Sequence, residues 1–416
     1  MFRSFSFPGR LAAGALAAVL FSMPVAALTL DEALRQAEHE APSLAAQAAQ
    51  VEASRNSAIP AGALPDPKLL LGLQNVPIEG DNRGRLDREP MTMQMVGVMQ
   101  EVPNRAKRRA RVEVAEAGVE RATLEQRVER LKVRRQTALA WISALAVEEK
   151  LALFQTLYAE NDLLVKAVRA RLAGGRGQPA DSVGPKQEAA LLAEQEDQLQ
   201  QSRAQQRAAL RRWVGPRADE PLTGRLPNWP VDAEHYRHSL QRHPELVLFD
   251  PMTDEAQAEV RQAEADKKSD WSWQLAYQKR DDAFGDMMSV QFSFDLPLFP
   301  GSRQNPRIAA KQATLSQLHA QREAAEREHA QQLADDLAEY QRLDRALRRS
   351  QDSLVPLAEE KVALTLAGYR AGEGELASVI AARRELIETR LKHIDFAQQR
   401  ALTSARLHFA YEEVSQ

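Results

Sequence analysis

The stretch from Asn104 to Leu172 contains no proline and a single glycine, Gly118. Its apolar residues fall three or four apart, as in Val128/Leu131, Ile142/Leu145, Leu151/Phe154/Tyr158 and Leu164/Val168/Leu172. That spacing is the period of one helix face. At 1.5 Å per residue, an unbroken helix of this length spans on the order of 100 Å. No single globular core needs such a rod, whereas a coiled-coil stalk or tube does. Glu, Arg and Gln crowd the other faces and read as solvated surface.

The same plan occurs twice. Met93 to Pro103 has a counterpart at Met287 to Pro297, and both end in acid, aliphatic, proline. Pro65-Asp66-Pro67-Lys68-Leu69 answers to Ser269-Asp270-Trp271-Ser272-Trp273, and Ala41-Pro42-Ser43-Leu44 to His243-Pro244-Glu245-Leu246. Beyond the long helices, Gly175-Arg176-Gly177-Gln178-Pro179 answers to Gly372-Glu373-Gly374-Glu375-Leu376. Four matches in one order argue for an internal duplication. Each half then reads helix, strand, loop, strand, long helix, tight turn, helix. The second long helix carries Pro356, which should kink or interrupt it. The expected units are 28–213 and 231–416. Between them lies a Pro- and Gly-rich connecting segment, 214–230.

Four short segments alternate with period two. In Ser289 to Leu296 the even positions are Val290, Phe292, Phe294 and Leu296, opposed by Ser289, Gln291, Ser293 and Asp295. In Trp271 to Gln278 the parity flips. One apolar and one polar face suit a strand between lipid and water, with Trp and Tyr near the ends as interfacial anchors. The rival is an ordinary sheet on a soluble core. Four strands cannot span a bilayer alone, because their edges would leave backbone groups unpaired in hydrocarbon. Cyclic repetition closes them, and three copies give a twelve-stranded barrel with a water-filled bore.

The N-terminus carries Arg3 and Arg10, an apolar run from Leu11 to Met23, then Pro24-Val25-Ala26-Ala27. This is the pattern of a secretory signal over 1–27; the alternative is a retained anchor. The net charge of −3 gives no sign of a nucleic-acid partner. The absence of cysteine excludes disulfides, thiolate metal sites, Cys nucleophiles and an N-terminal lipid-bearing Cys. No phosphate loop, metalloprotease His pair or nucleophile elbow occurs, so an enzyme is not expected, nor a cofactor.

With Leu28-Thr29-Leu30-Asp31-Glu32-Ala33-Leu34, the helix starts at Pro42 and Pro244, the duplicated strand pairs and Tyr369-x-x-Gly372, the chain resembles the TolC family of outer-membrane efflux proteins. Pro65-Asp66-Pro67 through Met91-Thr92-Met93 to Gln100-Glu101-Val102-Pro103 is similar to its heavy-metal branch, typified by CzcC and CusC. The resemblance implies a mainly α fold with a small membrane β part. Three chains would form a twelve-stranded barrel continued by a coiled-coil helical barrel through the periplasm. It also implies a homotrimer in outer-membrane lipid, working with a periplasmic adaptor and an inner-membrane pump of the RND type. Cargo, here heavy-metal cations, would pass unchanged; drug export, type I secretion and a periplasmic adaptor role are the alternatives.

Several residues stand out as candidate sites. Met91, Met93, Met95 and Met99 share one parity, and lumenal thioethers could hold soft ions, or simply fill a face. His235, His238 and His243 form a histidine cluster without a closing carboxylate, which suits a solvated surface. Lys107, Arg108, Arg109 and Arg111 would sit where barrel meets helix, beside lipid phosphates or in water. Pro103, Pro297 and Gly301 mark that junction, although Asn104 stands where the branch often has glycine. In the family, acidic residues beginning the return helices narrow the tube's inner end. Asp181 falls on such a position and its counterpart Ser378 does not. With Tyr369, Glu373 and Glu375 it makes the expected periplasmic gate; the plainer role for the acids is helix capping.

Overall fold

A computed structural model describes residues 27–175 and 177–411. The signal-like segment falls outside the described residues except for its last position, Ala27. The first half opens with α1 (Leu30–Glu40) and α2 (Pro42–Ala58), then strands β1 (Lys68–Gln74) and β2 (Met93–Val102). Helix α3 (Arg105–Ala173) follows, then the return helix α4 (Gly184–Val214). The second half runs through the short α5 (Ala233–Ser239) and α6 (Pro244–Val247) to α7 (Phe249–Ala265). Strands β3 (Trp271–Lys279) and β4 (Met287–Phe294) come next, then α8 (Gln304–Arg349), α9 (Val355–Ala371) and α10 (Leu376–Ala410). The duplicated plan is present as expected.

Helix α3 is 69 residues long and unbroken. Asn104 caps it, its side chain accepting from the Lys107 amide at 2.9 Å. The equivalent rod in the second half is divided. Residues Ser350–Leu354 form a wider π turn, in which the Val355 amide donates to the Ser350 carbonyl. Pro356 stands just beyond it, in the first turn of α9. Proline has no amide for the carbonyl four residues back, and its ring crowds that carbonyl. The added turn relieves both problems while the helix continues.

The four strands form one antiparallel sheet in the order β1-β2-β3-β4. The register pairs Leu71 with Val96, Val96 with Tyr277 and Tyr277 with Met288. Leu69, Leu71, Leu73, Val96, Val98, Leu275, Tyr277, Val290, Phe292 and Phe294 therefore share one face, and all are exposed. The opposite face is closed up at the row Leu70–Gly97–Ala276–Ser289. A Cβ on Gly97 would lie 2.7 Å from the Leu275 carbonyl oxygen, so only glycine permits this approach.

No large central core exists along the rods. The main cluster forms a girdle halfway down α3, where Val133, Trp141, Ile142 and Leu145 meet Leu28, Leu34, Leu210, Val214 and Phe409. Leu28 pairs with Leu222 as an isolated bridge, and the Trp141 indole donates to the Leu28 carbonyl at 3.1 Å. Trp229 stacks on His408 at 5.1 Å. Segment 214–230 is thus packed into the girdle. Smaller clusters pin the rods further down, around Phe154 and Leu157 and again around Tyr369. The chain exposes 26606 Å², against roughly 16,000 Å² for a compact monomer of its mass. No described helix is long and apolar enough to cross a membrane.

Candidate functional site: the strand face, the junction and the tip

The polar face of the sheet carries three of the four singled-out methionines. Met95 lies in the row Gly72–Met95–Gln278–Met287, Met99 in the row Lys68–Met99–Gln274–Gln291, and Met93 opposite Gln74. The Gln74 amide donates to Met95 Sδ at 3.4 Å. Met91 shares the parity but precedes the strand, in the connecting loop, and is exposed. Met287, whose odd parity was legible in the sequence, joins the face instead. Lys68 and Glu101, on this same face, form an ion pair.

At the junction, Pro103 is buried and ends β2. Asn104 then reaches across to the second half. Its amide donates to Asp270 Oδ1 at 2.7 Å, and its side-chain nitrogen to the Ala265 carbonyl at 3.1 Å. Lys107 Nζ lies 2.8 Å from Asp266 Oδ1 and 3.1 Å from Asp270 Oδ2. Burial raises the Asp270 carboxyl, but the Asn104 amide and the Lys107 ammonium outweigh it and hold it below its ordinary range. Lys107 is thus occupied by two carboxylates rather than offered to lipid. Arg109 remains 81 % exposed even while touching Glu113. The second junction is open: Pro297 is half-buried, while Leu296, Leu298 and Phe299 stand exposed. Nothing lies within 4 Å of where a Gly301 side chain would begin.

The two hairpin turns meet at the far end. Gly372 adopts φ +92°, which a side chain disfavours. The Glu373 amide closes the turn onto the Gly368 carbonyl at 3.0 Å, the usual way to end a helix. Asp181 Oδ2 accepts from the Gln178 amide at 3.1 Å, so it does act as a cap. Glu373 and Glu375 are exposed. Tyr369 is not a lining residue within the chain. It is 1 % exposed, packed with Leu164, Val168, Leu376 and Val379, and Arg171 lies 4.1 Å over its ring. Burial raises its phenol pKa, and Asp181 adds to the shift. The structure thus brings Asp181 and Tyr369 together and leaves the two glutamates free.

A further contact at this end was not legible. Arg383 Nε donates to Glu188 Oε1 at 2.9 Å with side chains 9 % and 6 % exposed, joining α10 to α4. The histidines also separate. His235 and His238 are exposed on α5. His243 is buried and its ring lies tilted against that of His329 of α8, with centroids 3.9 Å apart.

The family profile of outer membrane efflux proteins matches residues 33–216 and 236–411, one match per half. The chain belongs to this family. Among solved structures, it resembles the outer membrane protein VceC from Vibrio cholerae (TM-score 0.75, 20 % identity, 92 % of this chain and 95 % of that one). It also resembles the open state of the outer membrane channel MtrE from Neisseria gonorrhoeae (TM-score 0.76, 17 % identity, 92 % and 88 %). CusC, described for its transmembrane channel formation, aligns with TM-score 0.73, 16 % identity, 92 % and 91 %. No curated protein gives a significant sequence match.

Proposed function

We propose that this outer membrane efflux protein is the exit duct of a tripartite system. In this reading three copies close a twelve-stranded barrel, and heavy-metal cations pass through without chemical change. The observation that carries it is the sheet itself. Its outer strands, β1 and β4, each have one partner within the chain, and one face carries an exposed band of apolar residues. The open edges are intolerable in hydrocarbon until a neighbour's β4 meets β1, and the apolar face is costly in water until lipid covers it. The exposed Leu163, Leu191, Leu357 and Leu364 on the helices argue the same way, since rods packed edge to edge into a tube would cover them.

The apolar face then meets lipid and the methionine face the bore. The loops after β1 and β3 face the cell exterior, and the hairpin turns reach the periplasmic tip. Units 28–213 and 231–416 act as repeats about segment 214–230, behind a signal over 1–27. At the tip, a periplasmic adaptor and an inner-membrane RND pump are the partners. Glu373, Glu375 and Asp181, repeated by symmetry, surround the opening with negative charge, which favours cations. Met93, Met95, Met99 and Met287 offer the bore thioethers that soft ions contact weakly and leave again. Light scattering of the detergent-solubilised protein should give the mass of three chains. A monomer with full β content excludes the duct. Deleting the gene should sensitise cells to metal salts; sensitivity to drugs alone excludes the metal cargo.

A further inference from the structure

The histidine that sequence grouped with His235 and His238 has other neighbours in space. His243 stands at the start of α6, Glu245 two residues on, and His329 on α8. One ligand atom from each of the three lies within 4.8 Å of the others. His329 Nε2 is 3.3 Å from Glu245 Oε2. We propose that His243, His329 and Glu245 form a binding site for a divalent transition-metal ion of the Zn(II), Co(II) or Ni(II) type, one per chain.

The donor set is the first reason. Two imidazoles and a carboxylate suit borderline divalent ions, with water completing a tetrahedron. Soft monovalent ions prefer sulfur, so this site and the methionine face would select differently. Burial supplies the second reason. His243 is only 5 % exposed. A ring so placed offers an ion the lone pair of a neutral imidazole. In the ion-free chain that lone pair, on Nδ1, accepts from the Glu245 amide at 3.3 Å. The bond is long for its kind, and an ion can displace it. Space is the third reason. The three residues border a cavity of about 280 Å³ whose wall includes Arg135, Gln136, Gln332 and Asp336. Asp336 is taken by Arg406 at 2.9 Å, so Glu245 is the carboxylate left for the ion.

The site also has a mechanical sense. His243 begins the run that climbs through α7 to β3, while His329 sits on the helix descending from β4. An ion would clip these two arms together at the girdle, so binding should raise the melting temperature. This inference does not depend on the cargo.

The test uses the purified full chain, stripped with a chelator and titrated with CoCl₂. Wild type should show a saturable visible absorption band at one Co(II) per chain and melt higher with the ion. His329→Gln and Glu245→Gln should each weaken binding at least tenfold and abolish the melting shift. His235→Gln/His238→Gln should change neither. Glu245 is exposed, so its variant serves if His329→Gln fails to fold. Absence of saturable binding at millimolar Co(II) overturns the proposal. So does binding that survives Glu245→Gln, or that disappears with the His235/His238 pair.

Discussion

Replacing Glu188 by Leu should loosen the tip far more than its single ion pair suggests. Glu188 and Arg383 are almost fully buried, and their contact is one N···O approach of 2.9 Å. Among the described residues, Glu188 Oε2 and Arg383 Nη2 have no hydrogen-bond partner. The remaining anchor of Arg383 is the Glu160 carbonyl, at 3.0 Å from Nη1. Removing one partner of a buried pair typically costs about 3–5 kcal/mol, because the other charge stays in low dielectric. The contact is not bidentate, which places this site near the lower end. About 3 kcal/mol is on the order of a hundredfold in an opening equilibrium. Amide hydrogen exchange should therefore quicken by that factor in 157–168, 184–192 and 376–390, while the strands keep their protection. Glu188→Leu with Arg383→Met removes both charges and should return exchange to the wild-type rate or slower. Exchange within threefold of wild type in the single variant would refute the reasoning. So would a double variant as loose as the single one.

Two further outcomes follow from the upper half of the molecule. Asp270→Asn at the junction should lower the melting temperature by the equivalent of about 1 kcal/mol, since the group is only partly buried. The folded-state pKa of Asp270 lies below its ordinary 3.8. Its stabilisation is thus present above that value and fades as pH falls through the folded pKa. The gap between variant and wild type should hold from pH 8 to 5 and shrink below pH 4; a gap unchanged at pH 3 contradicts the assignment. Epitope tags inserted in 76–90 or 280–286 should bind antibody on intact cells, and labelling only after outer-membrane rupture would reverse the orientation.

Local pattern carried the architecture a long way. The proline-free run became a helix ending at Ala173, one residue past the expected Leu172. The parity of Trp271 to Gln278 and Ser289 to Phe294 put the apolar residues on one shared face, while Leu296 falls beyond the end of β4. Pro356 located the break in the second rod. These signals lie within a few residues of their consequences. The contacts that fasten the assembly do not. Asn104 meets Asp270 and Glu188 meets Arg383 only because the halves fold against each other, and His243 meets His329 only because the second half folds back on itself. Tyr369 shows how polarity misleads at a turn. Its hydroxyl suggests a lining role, but the ring is a large apolar body that Leu164 and Val168 cover.

Duplication explains why the halves should agree, and the places where they differ then carry information. At the first junction a buried proline, an asparagine cap and a lysine held by two aspartates bind strand to helix. At the second, Leu296, Leu298 and Phe299 are exposed over the same length of chain. A closed barrel needs β4 to meet a neighbour's β1, whereas β2 is already paired on both sides within its own chain. The inner junction can therefore be completed by intramolecular contacts. In the proposed barrel the outer one cannot, because its partners would belong to lipid or the next copy. The rods divide in the same sense. Unbroken α3 carries the girdle residues Val133 to Leu145, while the π turn falls in the second rod, away from that core. A repeat that serves as scaffold and a repeat that completes the ring would diverge in this way.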